Sequence, residues 1–161
     1  MIKLDTGTVC VEKNADERCS PATITKIMTM ARALVMCEDP ANTYVTAPSY
    51  IWNEFEGSSI SHCDIQRGET LTMQDLLYGM ALQSANEAAN IVADYLGKCS
   101  ISDFVELMKQ KAQEIGAVNT HFTNPHGLYS ADHYTTAYDI YLIAQYALSV
   151  PGFKDLVSTT V

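Results

Sequence analysis

A proline that opens a long run free of proline and glycine, Pro21 to Cys37, constrains this chain most. The proline ring fixes φ near the helical value, and its missing N–H has no partner to lose in a first turn. From Thr23 onward the residues read as a helix, with Ile27, Met30, Ala31, Leu34 and Val35 at helical spacing. Asp39-Pro40 ends it. Within that helix Thr23 and Lys26 stand three apart and share a face. A hydroxyl and an amine therefore meet where backbone N–H groups point outward without partners. A hydroxyl is a weak nucleophile until a base takes its proton, and a buried lysine with a lowered pKa can be that base. Ser20 lies about half a turn off this face and cannot replace Thr23. Thr-x-x-Lys alone also fits an ordinary surface helix, so the assignment needs a second element.

That element is Ser84-Ala85-Asn86, which opens another helical run, 84–96, read as closing at Gly97. Between the two helices, residues 40–70 are rich in loop formers, with short extended runs at 43–46 and 59–62 and a turn at Arg67-Gly68-Glu69. Thr72 and Asp75 have capping-box spacing ahead of an apolar helix, 76–80, that should be buried. A helix over 102–115 carries Phe104, Leu107, Met108, Ala112 and Ile115 on one stripe and stops at Gly116. A turn-rich segment holds Asn124-Pro125-His126-Gly127-Leu128. Thr136 and Asp139 form a second box-spaced pair before a helix to Ala147. Val150-Pro151-Gly152 breaks it ahead of a short run, 153–157. At the other end residues 2–13 read as a hairpin turning at Asp5-Thr6-Gly7, its apolar face carrying Leu4, Val9 and Val11.

The chain has 161 residues, one domain's worth, and ten basic residues against nineteen acidic give a net charge of −9. That balance argues against nucleic acid or an anionic membrane surface as direct partner. Five cysteines lack Cys-x-x-Cys and lack histidine at ligand spacing, so neither a metal site nor a cofactor is expected. Their odd number leaves at least one free thiol. No signal peptide is read at Met1, and no apolar run spans a bilayer.

These blocks together resemble the D-alanyl-D-alanine carboxypeptidases, the low-molecular-weight penicillin-binding proteins. Asp5-Thr6-Gly7-Thr8-Val9 with Glu12-Lys13-Asn14 is similar to that family's opening hairpin, and 21–29 to its nucleophile helix. Gly68-Glu69-Thr70-Leu71-Thr72 with Asp75-Leu76-Leu77-Tyr78-Gly79 resembles the approach to Ser84-Ala85-Asn86. The segment 122–128, then 133–139, completes the likeness. The family's three elements are Ser-x-x-Lys, Ser-Asp-Asn and Lys-Thr-Gly. Here the first is altered, the second close, and the third does not occur before Val161.

The resemblance implies an α+β fold of the β-lactamase/transpeptidase-like kind. In residues 1–161 this would be a truncated domain: a hairpin and connection over 1–20, then a mostly helical lobe over 21–161, with C-terminal sheet strands absent. It implies a serine-type carboxypeptidase that cleaves the terminal D-alanine of peptidoglycan stem peptides through an acyl-enzyme. β-Lactams would act as substrate mimics, and the location would be the cell envelope, outside the cytoplasm. Carried over by position, Thr23 is the nucleophile, Lys26 the general base and Ser84 a proton shuttle. Asn86 would hold the substrate amide, and the Thr23 N–H would give half of the oxyanion hole.

Threonine replaces the family's serine at 23, and its extra methyl restricts χ1 and crowds the incoming carbon. Residues 1–161 alone are therefore expected to acylate poorly, since the resemblance places another oxyanion donor on the Lys-Thr-Gly strand. A hairpin without neighbouring strands is expected to seek cover, by self-association or by a complementing chain. Two other functions stay open: a catalytically silent homologue that binds such peptides or β-lactams, and a β-lactamase relative, with Glu114 the nearest candidate for deacylation. For His126 and His133, hydrogen bonding within the loop is favoured over catalysis, and for Asp139 a capping role.

Overall fold

The computed structural model describes residues 1–3 and 5–159. A single 3₁₀ turn, Ala22–Ile24, leads into α1, Thr25–Met36. Then come β1 (Tyr44–Thr46), β2 (Thr70–Thr72), α2 (Met73–Gln83), α3 (Asn86–Leu96), α4 (Ile101–Glu114), α5 (Ala137–Ser149) and α6 (Phe153–Ser158). The two strands pair antiparallel, Tyr44 opposite Thr72 and Thr46 opposite Thr70. The expected strand at 59–62 is absent; that stretch has no ladder partner and is held from α3 instead. Its true counterpart, β2, lies inside the turn-and-cap text around Thr72, where the helix signal hides a three-residue strand.

The helices form where local chemistry calls for them. Thr72 and Asp75 make a full capping box, each side chain bonded to the other residue's backbone N–H. Gly116, at φ +85°, supplies the left-handed residue after α4. Two expectations are corrected. Gly97 sits at φ −82° and is not a left-handed cap. It is glycine because a Cβ there would lie 2.0 Å from the Ser100 carbonyl oxygen. Thr136 accepts the Asp139 N–H as expected, but the Asp139 carboxylate does not return the bond. It accepts the Asn119 N–H at 2.8 Å and the Thr120 hydroxyl at 2.7 Å, tying the turn-rich segment to α5.

Helix α1 is the spine between two apolar clusters. One of its sides meets α2, α3 and α6 through Met30, Ala31 and Ala33, against Leu76, Leu77, Ile91 and Phe153. The other meets α4 and α5 through Met28, against Phe104, Met108, Phe122 and Ile143. Burying an apolar stripe on both sides fixes the rotation of α1 about its axis, and so the direction in which Lys26 points. At the N-terminus the described residues of the hairpin form a single bridge, Ile2 to Val9, with Val9 50 % and Val11 61 % exposed. Leu4 lies outside the described residues. Among those residues no helix is long and apolar enough to cross a membrane.

Candidate active site

Lys26 is 3 % exposed on the first turn of α1. Its Nζ donates to Asn86 Oδ1 at 2.8 Å and to the His126 carbonyl at 2.7 Å. Burial pushes the amine down to about 8, against the pull of the Glu87 carboxylate. An amine with that pKa is partly neutral near pH 7–8 and can accept a proton. Asn86 opens α3 and is itself fixed: its N–H and its Nδ2 both donate to the Ser61 carbonyl, at 3.0 and 3.1 Å. With Nδ2 so occupied, Oδ1 is the end left facing Lys26.

Thr23 is exposed, inside the 3₁₀ turn one helical turn before Lys26. Among the described residues its hydroxyl makes no hydrogen bond, so the structure brings Lys26 and Asn86 together and leaves Thr23 uncoupled from both. Ser84 is not at a helix start. It is the C-cap of α2, in left-handed conformation at φ 55°, with Ala85 as the N-cap of α3. A positive φ on serine costs on the order of 1–3 kcal/mol. Its Oγ is buried with no partner among the described residues. Glu114, weighed for deacylation, ends α4 as an exposed partner of Lys111.

The turn-rich segment clamps this arrangement. Thr29 Oγ1 donates to the Pro125 carbonyl at 2.6 Å, and Lys26 takes the next carbonyl along. Gly127, at φ +90°, lies against Ala22, itself at φ 47°. A non-glycine residue in that region is strained and persists only where its surroundings hold it. His133 is 2 % exposed, and its Nδ1 accepts the Thr123 N–H at 2.9 Å. The remaining proton is on Nε2, which donates to Thr25 Oγ1 at 2.8 Å. His126 likewise accepts the Leu128 N–H through Nδ1. Both histidines serve loop hydrogen bonding. Thr25, Thr29 and Gly127 were missed at the sequence level. A glycine after Pro-His was the available signal, since glycine permits both positive φ and close backbone approach.

Burial, then the charges of His126 and His121, push His133 down to about 4. The unfolded chain takes up this proton near the ordinary histidine pKa of about 6.5, before the folded chain does. Stability from a neutral His133 is therefore complete above pH 6.5 and is lost as pH falls toward 4. Urea unfolding at pH 7.5 and pH 5 should show a loss on the order of 2 kcal/mol. His133→Gln should flatten that dependence. An unchanged slope in the variant would place the acid sensitivity elsewhere.

No triad of His, Cys, Asp or Glu suited to a metal occurs among the described residues. The chemistry on offer is that of a half-neutral buried amine, a fixed carboxamide and a nearby exposed hydroxyl.

A family profile described as D-alanyl-D-alanine carboxypeptidase, Peptidase_S11, matches residues 1–158. D-alanyl-D-alanine carboxypeptidase DacF of Bacillus subtilis is 34 % identical over 166 aligned positions, covering 99 % of this chain and 40 % of that protein. DacA of Escherichia coli K12 is 34 % identical, covering 90 % and 37 %. Among solved structures, the Streptomyces K15 DD-transpeptidase superposes with a TM-score of 0.91 at 29 % identity, over 99 % of this chain and 63 % of that one. DacD of Francisella tularensis gives 0.86 at 31 % identity, over 97 % and 38 %. The chain thus spans about two fifths of the length of the curated relatives it matches. The transpeptidase-like fold is that expected from the sequence.

Proposed function

Because the chain belongs to the D-alanyl-D-alanine carboxypeptidase family, we propose that it contributes the nucleophile-bearing lobe of a serine-type enzyme acting on D-Ala-D-Ala peptides of peptidoglycan. One observation carries the reading. Lys26 is a buried amine near pKa 8, held by Asn86 and the His126 carbonyl one helical turn from an exposed hydroxyl. Lys26 takes the proton of Thr23 as Thr23 Oγ1 attacks the penultimate carbonyl, and the terminal D-alanine leaves as the amine after protonation. Ser84, whose buried hydroxyl has no partner of its own, is the relay for that proton. Asn86 holds Lys26 through Oδ1, and it meets a substrate amide only when Nδ2 leaves the Ser61 carbonyl. β-Lactams enter by the same route, as ring-closed mimics of the peptide. The setting is the cell envelope, outside the cytoplasm, and the exposed Val9 and Val11 face is the surface for self-association or a complementing chain.

A catalytically silent, peptide-binding member is the second reading, favoured by the threonine at 23 and its unbonded hydroxyl. Mass spectrometry of the gene's complete product after incubation with a β-lactam separates the two. Acylation mapped to Thr23 and lost in Thr23→Ala is the expected result. Saturable binding of a D-Ala-D-Ala peptide without any adduct supports the silent reading instead.

A further inference from the structure

The residue after Asn86 is a glutamate with no exposed surface, one of the largest fully buried side chains in the protein. A carboxylate out of water is costly unless its charge is compensated and its oxygens are bonded. Only half of that condition is met. Glu87 Oε1 accepts the Cys63 N–H at 2.6 Å, while Oε2 is buried without a hydrogen-bond partner among the described residues. Next to it, two N–H donors of Asn86 converge on the Ser61 carbonyl. The stretch 61–63 therefore has no strand partner, yet it is pinned at alternate residues by consecutive residues of one helix turn.

We propose that Glu87 is a positioning residue for Lys26: it clips 61–63 to α3 so that Ser61 fixes the Asn86 carboxamide that holds the lysine amine. This rests on the proposed role of Lys26 and extends it. Glu87 touches no substrate; it acts through Asn86 and through the amine. Its pull on Lys26 opposes the effect of burial, so that the amine is poised rather than fully discharged. The other titratable groups near this arrangement are His126, whose carbonyl Lys26 binds, Glu54, whose carboxylate lies 3.5 Å from His126 Nε2, Cys63 on the clipped stretch, and His133, bonded to Thr25.

The test needs no turnover. Lysine labelled with ¹³C at Cε in the full chain, with the Lys26 signal assigned by Lys26→Met, reports the amine's titration directly. In Glu87→Gln the amide oxygen can still accept the Cys63 N–H while the charge is gone. The Lys26 midpoint should fall by roughly one unit. In Glu87→Ala the clip goes as well, and hydrogen exchange at the Cys63 amide should speed up at least tenfold. A Lys26 midpoint unmoved in Glu87→Gln overturns that pull on the amine. Unaltered Cys63 protection in Glu87→Ala overturns the clip; if that variant does not fold, Glu87→Met, which also lacks the acceptor, is read at the same amide. Both readouts stand even if Thr23 never forms an acyl adduct, so a failure here is distinct from a failure of the proposed enzyme.

Discussion

Gly127→Ala should lower the thermal unfolding midpoint by roughly 6–12 °C, the shift expected for about 3 kcal/mol in a chain of this size. A Cβ at 127 would lie 1.9 Å from the Ala22 carbonyl oxygen, 2.5 Å from its carbon and 3.0 Å from Thr25 Oγ1. Backbone cannot step aside as a side chain can, so 124–128 must lift off α1. The residue's φ of +90° adds strain of its own, about 1–3 kcal/mol for any residue with a Cβ. Lifting this segment also moves the His126 carbonyl away from Lys26 and Pro125 away from Thr29. Gly57→Ala is the matched control: its φ of +75° carries similar strain, but a Cβ there meets nothing within 4 Å. Differential scanning calorimetry of the two variants gives the answer. If Gly127→Ala melts no lower than Gly57→Ala, the close approach to Ala22 is not what this glycine is for.

If the proposed acylation chemistry holds, Lys26→Met in the gene's complete product should slow acylation by a β-lactam roughly a hundred- to ten-thousandfold, the usual range for losing a general base. Methionine keeps most of the side chain's length and fills the same space without the amine. Asn86 Oδ1 and the His126 carbonyl lose their donor, at about 1–3 kcal/mol for each acceptor left buried and unpaired. The released cost of holding an amine out of water offsets part of that. Activity should therefore fall far more than stability. The pH profile is the sharper readout. The wild-type acylation rate should rise with pH through about 8 as the amine discharges, and that limb should vanish in the variant. A Lys26→Met protein that acylates within tenfold of wild type would remove lysine from the base role.

The elements that were legible share a short reach. Pro21 marked the first turn before α1, Thr72 with Asp75 the capping box, and Gly116 the end of α4. Each works through bonds spanning three to five residues, within which side-chain type settles backbone conformation. β2 was missed for the complementary reason. Its three residues, Thr70 to Thr72, are strand only because Tyr44 to Thr46 lie opposite, and nothing in the segment itself announces that partner. The expected strand at 59–62 failed similarly: extended backbone is cheap, but without a ladder its N–H and C=O groups must be met elsewhere, and Asn86 and Glu87 meet them. Ser84 read as a helix start because serine caps helices; packing placed it instead in a left-handed joint between α2 and α3.

Residue type and local spacing were enough to single out the residues proposed for chemistry, Thr23 three residues before Lys26 and Asn86 near the start of a later helix, since both are properties of a short segment. Tertiary structure alone decided which of them meet. Lys26 finds Asn86 across 60 residues and the His126 carbonyl across 100, and Thr25 finds His133 across 108. Bonds of that separation form only after α1 is locked by burial on both sides. The lowered pKa of Lys26 has the same origin, because desolvation belongs to the packed core and to no segment of the chain read alone.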